Sequence, residues 1–313
     1  MSVTFSTGTV GHAIGIDLGG TKIEGVVLDP SGAAIARQRV ATPRHDYTAT
    51  IAAVVALVGK LEADAGRSGA TVGIGIPGSI SPRSGVVQNA NSTWLNGRPF
   101  ARDLAVALGR PVRAANDANC FALSEATDGA AAGARSVFGV ILGTGCGGGL
   151  VRDLAVIDGP RGIGGEWGHN PLPWPTPDEV PGPRCWCGRH GCMETWVAGP
   201  ALAEDHRRST GRDASPEAIV NAAASGDLAA SATLDRHLGR LARGLAHVVN
   251  IFDPHVIVLG GGLSKLSHLY ERLPAAMAPW IFADDPTVDI RPPRWGDASG
   301  VRGAAWLWQD DAR

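Results

Sequence analysis

One pattern that occurs twice constrains this chain more than any other. Ile14-Gly15-Ile16-Asp17-Leu18 leads through Gly19-Gly20-Thr21-Lys22 into a second apolar run that begins at Ile23 and ends at Leu28. Residues 137–151 repeat it: an apolar run to Leu142, then Gly143-Thr144-Gly145-Cys146-Gly147-Gly148-Gly149, then Leu150-Val151. Ile14 and Ile16 alternate with small residues, as in a half-buried strand. Glycine has no Cβ, so such a turn can bend tightly and bring its N–H groups close to a ligand. Successive N–H groups form a concave site for anions. In the first copy Thr21 and Lys22 add a hydroxyl and a cation, groups that suit a polyphosphate. Asp17 ends its strand where it can hold hydrated Mg²⁺ against those phosphates. Taken alone, this copy reads equally well as an ordinary hairpin with a surface lysine. The second copy matches G-x-G-x-x-G, but that dinucleotide fingerprint must open a helix, and residues 150–157 alternate like a strand. Two copies of strand, glycine turn and strand predict a duplicated architecture with a nucleotide held between the halves.

Bulk properties narrow the class. With 313 residues, 44% of them hydrophobic, and a net charge of −2, the chain suits one large or two medium globular domains. No basic stripe suggests nucleic acid, and no apolar run reaches the length that spans a membrane. Residues 1–11 lack the charged and apolar segments of a signal peptide, so no leader is expected and a cytoplasmic location is favoured. Five cysteines, an odd count, argue against a secreted disulfide framework. Of nine tryptophans, Trp94, Trp167, Trp174 and Trp186 stand in loop-like contexts.

Between and after the hairpins, several residues stand where chemistry is done. Residues 48–65 read as a helix stopped by Gly66. Residues 72–76 read as a strand running into Pro77-Gly78. The long polar stretch over residues 79–100 carries Asn89, Asn91, Trp94 and Asn96, which suit hydroxyl binding or a structural loop of Asx turns. A strand ends at Asn116-Asp117, and a helix is expected over residues 120–133. Asp117 thus stands at a strand end, where catalytic carboxylates of α/β folds sit, or caps the helix. Cys185, Cys187 and Cys192 lie within eight residues of one another among glycines. In a reducing compartment they read as three zinc ligands, with His169 or His190 as the fourth. Cys120 and Cys146 read as small buried residues. A long amphipathic helix over residues 227–250 ends at Asp253-Pro254. An apolar strand then feeds Gly260-Gly261-Gly262, another place for close approach to a nucleotide, with a helix from Ser264. A small-residue helix over residues 299–308 closes the chain.

Taken together, Asp17-Leu-Gly-Gly-Thr-Lys22, Asn116-Asp117-Ala-Asn119, Gly143-Thr-Gly145, Glu166-Trp-Gly-His169, Cys185-x-Cys187-x₄-Cys192-x-Glu194 and Val258-Leu-Gly-Gly-Gly262 resemble the ROK family of sugar kinases and repressors. Pro77-Gly-Ser-Ile-Ser-Pro82, Asn89-Ala-Asn-Ser-Thr-Trp-Leu-Asn-Gly97 and residues 166–174 are similar to its bacterial fructokinase (mannokinase-type) branch. The residues ahead of Ile14 are expected to be too few for the helix-turn-helix of the repressor branch. The resemblance implies an α/β, actin-like ATPase (ribonuclease H-like, duplicated) fold of two lobes with a cleft between them. The smaller lobe would span residues 1–118, with 297–313 returning to it. The larger would span residues 119–296 and carry the knuckle. The implied activity is ATP-dependent phosphorylation of a hexose, D-fructose to D-fructose 6-phosphate in the first place. Mannose, glucose or an N-acetylated hexosamine are the alternatives, and a non-catalytic sugar sensor is the competing class. Asp117 would be the general base. Asn116, Glu166, His169 and Glu194 would hold the other hydroxyls, with Gly78 and Asn91 lining the pocket. His169, Cys185, Cys187 and Cys192 would bind structural Zn²⁺. Residues 15–22 and 143–149 would surround the ATP phosphates, with Mg²⁺ held by Asp17 through water, and Gly261 and Gly262 would border the adenosine. The family also implies a homodimer. Arg152-Asp153-Leu154 departs from the Asn-Gly turn that relatives favour, which bears on turn stability and on no catalytic residue.

Overall fold

The computed structural model describes residues 11–312. The expectation of no leader therefore falls outside the described residues, Gly11 excepted. The chain builds one five-stranded sheet twice. In the first, β1 (Ala13–Leu18), β2 (Lys22–Leu28) and β3 (Ala34–Ala41) form an antiparallel meander. Helix α1 (Tyr47–Ala65) then leads to β4 (Thr71–Ile76), parallel to β1. A short hairpin, β5 (Ser79–Ile80) with β6 (Val87–Gln88), and helix α2 (Phe100–Leu108) precede β7 (Val112–Asn116), parallel to β4. After α3 (Asp117–Thr127) the plan repeats. Strands β8 (Ser136–Leu142), β9 (Cys146–Arg152) and β10 (Ala155–Val156) form the second meander. Helices α4 (Glu194–Val197), α5 (Gly199–Thr210), α6 (Pro216–Ala224) and α7 (Leu228–Phe252) follow. Strand β11 (Val256–Gly260) then lies parallel to β8, and beyond α8 (Ser267–Met277) β12 (Ile290–Arg291) lies parallel to β11. The orders β3-β2-β1-β4-β7 and β10-β9-β8-β11-β12 correspond strand for strand.

The apolar runs explain which strands lie inside. Ile14, Ile16, Val72, Ile74 and Ile76 are fully buried in one sheet, and Val137, Phe138, Val140, Ile257 and Val258 in the other. Strands covered on both faces read as near-continuous apolar runs. Helix α9 (Ser299–Ala305) returns from the C-terminal end to pack on β1, β4 and α3. It comes so close that a Cβ on Gly15 would stand 1.9 Å from the Val301 carbonyl oxygen. Helix ends follow local chemistry. The Asp46 carboxylate accepts the Ala49 N–H at 2.9 Å to start α1, and Gly66 ends it with φ 61°. Asp253 ends α7 in the left-handed region, φ 50°, ahead of Pro254.

Three helix boundaries differ from the sequence expectation. The helix expected over 120–133 begins at Asp117 and stops at Thr127, where the buried Glu125 carboxylate draws the next turn inward by accepting the Ala130 N–H at 2.7 Å. Residues 262–265 form a 3₁₀ turn before α8, and residues 306–312 continue α9 as 3₁₀ turns. Among the described residues, no helix is long and apolar enough to cross a membrane.

Candidate active site

Parallel strands of one sheet send their carboxyl ends to the same edge, where α/β folds place ligands. Here Asp17 lies near the end of β1, Gly78 follows β4, and Asn116 and Asp117 follow β7. They meet the β8–β9 turn across two adjoining clefts. The larger, about 940 Å³, is lined by Gly78, Asn89, Asn91, Asn116 and Asp117 on one side. Gly143, Thr144, Gly145, Cys146, Gly147, Gly148, Glu166, His169 and Glu194 line the other. The smaller, about 270 Å³, is lined by Asp17, Leu18, Gly19, Gly20, Asp117, Gly261, Asp297 and Gly300, among others. Asp117 is the one carboxylate on the lining of both.

The capping question at Asp117 is answered by its neighbour. Asn116 takes the N-cap position: its side-chain oxygen accepts the Ala118 N–H at 2.9 Å, and its amide donates to the Gly78 carbonyl at 2.8 Å. Gly78 itself has φ 72°, and a Cβ there would fall 2.3 Å from the Gln88 carbonyl, so only glycine brings that carbonyl into reach. Asp117 sits in the first turn of α3 and also accepts the Ala118 N–H, at 2.8 Å. Its side chain is open to the cleft, yet the protein packed around it desolvates the carboxylate and pushes its pKa up, against the pull of that hydrogen bond. The Asp17 pKa is pushed up to about 6, by burial first and then by the nearby charges of Asp117 and Glu24, with Lys22 only partly offsetting them.

On the opposite wall both oxygens of Glu194 are engaged. One accepts the Cys146 N–H at 3.0 Å and the other the Trp186 indole N–H at 2.8 Å. Burial raises the pKa of Glu166. His169, Cys185, Cys187 and Cys192 converge, with their donor atoms all within 4.8 Å of one another. The Cys187 and Cys192 sulfurs are 3.6 Å apart, and the Cys185 sulfur is 3.6 Å from His169 Nδ1. Tetrahedral zinc with Zn–S bonds of about 2.3 Å requires sulfurs about 3.8 Å apart, so this donor set fits the ion. His190, the other candidate for fourth ligand, is outside this group and bridges to Arg184 through its backbone. Cys120 and Cys146 are buried and free, as expected.

Several residues assigned to the nucleotide line neither cleft. Gly15 and Ile16 lie inside β1, and Gly149 lies inside β9, where a Cβ would meet the Ala118 carbonyl at 2.4 Å. Thr21 and Lys22 are exposed at the β1–β2 tip, and neither they nor Gly262 line the two clefts. The sequence reading missed Ile163, Asn170 and Arg189 on the larger cleft and Asp297 and Gly300 on the smaller. For the last two a signal was present, a Gly-Asp-x-Ser-Gly run opening the final small-residue helix.

A sequence profile of the ROK family matches residues 13–311. The chain belongs to the ROK family. It is 40% identical over 297 residues to an N-acetyl-D-glucosamine kinase of Photobacterium profundum, covering 94% of this chain and 98% of that one. It is 38% identical over 299 residues to the enzyme of the same name from Pasteurella multocida, covering 94% and 98%. Among solved structures, a ROK hexokinase from Thermus thermophilus superposes with a TM-score of 0.85 at 34% identity, over 96% of this chain and 98% of that chain. A ROK family glucokinase from Streptomyces griseus, in complex with glucose and AMPPNP, superposes with a TM-score of 0.77 at 28% identity, over 96% and 100%. The duplicated two-lobed architecture of this ROK protein is thus the actin-like ATPase fold of sugar kinases.

Proposed function

We propose that this ROK protein is an ATP-dependent sugar kinase whose preferred acceptor is an N-acetylated hexosamine, N-acetyl-D-glucosamine first, phosphorylated on its 6-hydroxyl. The observation that carries the reading is the position of Asp117, the one carboxylate that borders both clefts. A group so placed reaches an acceptor hydroxyl on one side and a phosphoryl donor on the other. The acceptor follows the relatives at 38–40% identity, which are N-acetyl-D-glucosamine kinases. Fructose, the acceptor implied by the branch resemblance, has no counterpart among the relatives described above, so the proposal moves to what was then the alternative.

In this reading Asp117 accepts the proton of the attacking hydroxyl. Its pKa is raised, which makes it a stronger base than an ordinary aspartate. Phosphoryl transfer passes through a loose transition state, so positioning and charge stabilisation dominate. The N–H groups of Gly19, Gly143 and Cys146 hold the two turns together, which leaves the backbone of Gly20 and of Thr144 and Gly145 to face the charge that spreads over the transferred phosphoryl. Asn116, Asn91, Glu166, His169 and Glu194 orient the sugar. Asp17, buried without a full counter-charge, would hold Mg²⁺ through water, and that ion would neutralise phosphate charge. His169, Cys185, Cys187 and Cys192 would hold Zn²⁺ with no open position, a structural arrangement that ties the Glu166–His169 turn to Glu194. A cytoplasmic homodimer is part of the proposal, and sedimentation of the purified protein reads its oligomeric state.

The test is ADP release with ATP and Mg²⁺ over N-acetylglucosamine, N-acetylmannosamine, glucose, mannose and fructose. The highest kcat/KM is expected for N-acetylglucosamine. A higher value for fructose, or no turnover with any sugar, overturns the reading.

A further inference from the structure

We infer that Trp186 reads the acetamido group of the acceptor: its indole face receives the acetyl methyl while Glu194 accepts the amide N–H. The inference rests on the acceptor proposed above. In a pyranose, C2 is the ring atom opposite C5, and C5 carries the reacting C6 hydroxyl. With that hydroxyl at Asp117, a substituent on C2 lies at the end of the cleft farthest from the phosphate side. Trp186 and Arg189 line the larger cleft and not the smaller, and Trp186 meets His169 and Glu194 on the wall facing Asp117, where that substituent would lie.

Trp186 is 68% exposed, yet it is held in place. Its N–H donates to Glu194 Oε1 at 2.8 Å. Its ring meets the His169 ring edge to face, with centroids 4.9 Å apart and planes at 85°. On either side of it Cys185 and Cys187 belong to the metal-ligand cluster. A pinned indole that leaves most of its surface bare beside a polar cleft offers an apolar platform with little ordering left to do on binding. Glu194 Oε1 has a second lone pair, since a carboxylate oxygen accepts more than one hydrogen bond. An acetamide presents what the pair lacks, a methyl for the indole face and an N–H for the carboxylate. Glucose has only a hydroxyl there.

The experiment compares kcat/KM for N-acetylglucosamine and for glucose in the wild type, Trp186→Phe and Trp186→Ala, with zinc content measured on each preparation. In Trp186→Ala the ratio of the two values falls by about 10- to 100-fold, carried by KM for the acetamido sugar. Trp186→Phe keeps a ring face and loses less. A ratio unchanged within about threefold, with zinc retained, overturns the inference and makes Trp186 a support for Glu194 alone. If Trp186→Ala loses zinc, saturation-transfer NMR on the wild-type protein with N-acetylglucosamine decides. Strongest transfer to the acetyl methyl protons supports the contact, and strongest transfer to ring protons overturns it. Failure of the wild type to phosphorylate any acetamido sugar overturns the parent reading instead.

Discussion

The two halves share their strand plan and differ in what they bring to the cleft between them. The first half supplies carboxylates, Asp17 and Asp117, both with pKa values raised by desolvation. The second supplies glycine backbone from the β8–β9 turn, with Glu166, His169 and Glu194 around a metal-ligand cluster. Their buried charges are also treated differently. In the second half Glu179 is gripped by Arg240 at 2.9 Å and Arg243 at 2.8 Å. Burial alone would raise its pKa, but these arginines hold it down to about 2. In the first half Glu24 takes Arg37 and Arg39, while Asp17, facing the cleft, has only the partial help of Lys22. A buried charge with counter-charges marks architecture. One left short of them marks where a ligand or ion belongs.

Substitutions that treat the two halves alike should break this contrast, and the largest effect is on turnover. Asp117→Asn is isosteric and removes the base, so kcat falls by about 10²–10⁴-fold. Its melting temperature does not fall, because the change removes a desolvated charge, and kinetics with a thermal melt read both. Glu179→Gln leaves Arg243 without its counter-charge and Arg240 with Asp205 alone, and destabilises by about 3–5 kcal/mol, measured by denaturant unfolding. The Glu179 pKa lies below its usual 4.5, so its stabilisation is complete above that pH and is lost as pH falls toward about 2. Asp17→Asn has the opposite sign. The native pKa of Asp17, about 6, lies above the ordinary 3.8, so the penalty is full above about 6 and gone below 3.8. The variant therefore gains at most about 3 kcal/mol at pH 7 without ligands, and the gain vanishes as the melt is repeated toward pH 4.

The metal cluster sharpens the contrast. Cys185→Ala removes a buried ligand outside the cleft lining. Zinc content drops and KM for the sugar rises by about tenfold, and unchanged KM after zinc loss separates the metal from the sugar pocket. The smallest effect is in a turn. The β2–β3 corner uses Asp29, whose side chain accepts the Ser31 and Ala33 N–H groups at 2.8 and 3.0 Å, and Gly32 at φ 85°. The matching β9–β10 corner puts Asp153 and Leu154 at φ 49° and 62°, the backbone of a hairpin turn that prefers Asn-Gly. Leu154→Gly relieves that strain and loses some packing, for a net gain below about 1 kcal/mol, read as a small rise in melting temperature.

Much of this was legible in the sequence because glycine runs, closely spaced cysteines and a carboxylate at a strand end have few local uses. Both hairpins, Asp117 and the three cysteines could be found from neighbours in the chain. What depended on distant packing could not. Spacing alone left the fourth metal ligand open between His169 and His190, and only the family resemblance named His169, which the structure brings to the three cysteines. Nothing local distinguished Gly145, which abuts Glu194 on the cleft wall, from Gly149, which packs on α3. Thr21 and Lys22 look like phosphate ligands in the sequence; both are exposed at the hairpin tip, outside the lining of either cleft, with the Lys22 charge felt by Asp17. The motifs put fructose first and an N-acetylated hexosamine among the alternatives, and it is the relatives that favour the latter. Trp186 registered only as a tryptophan in a loop.

The central claim is that one carboxylate at the junction of two clefts activates the hydroxyl farthest from the acetamido group. Carbon–phosphorus coupling in the ¹³C NMR spectrum of the product made from ATP and N-acetylglucosamine tests it most directly. The account predicts phosphate on O6, with no product from Asp117→Asn over the same interval. Phosphate on O1, or equal product from that variant, contradicts it.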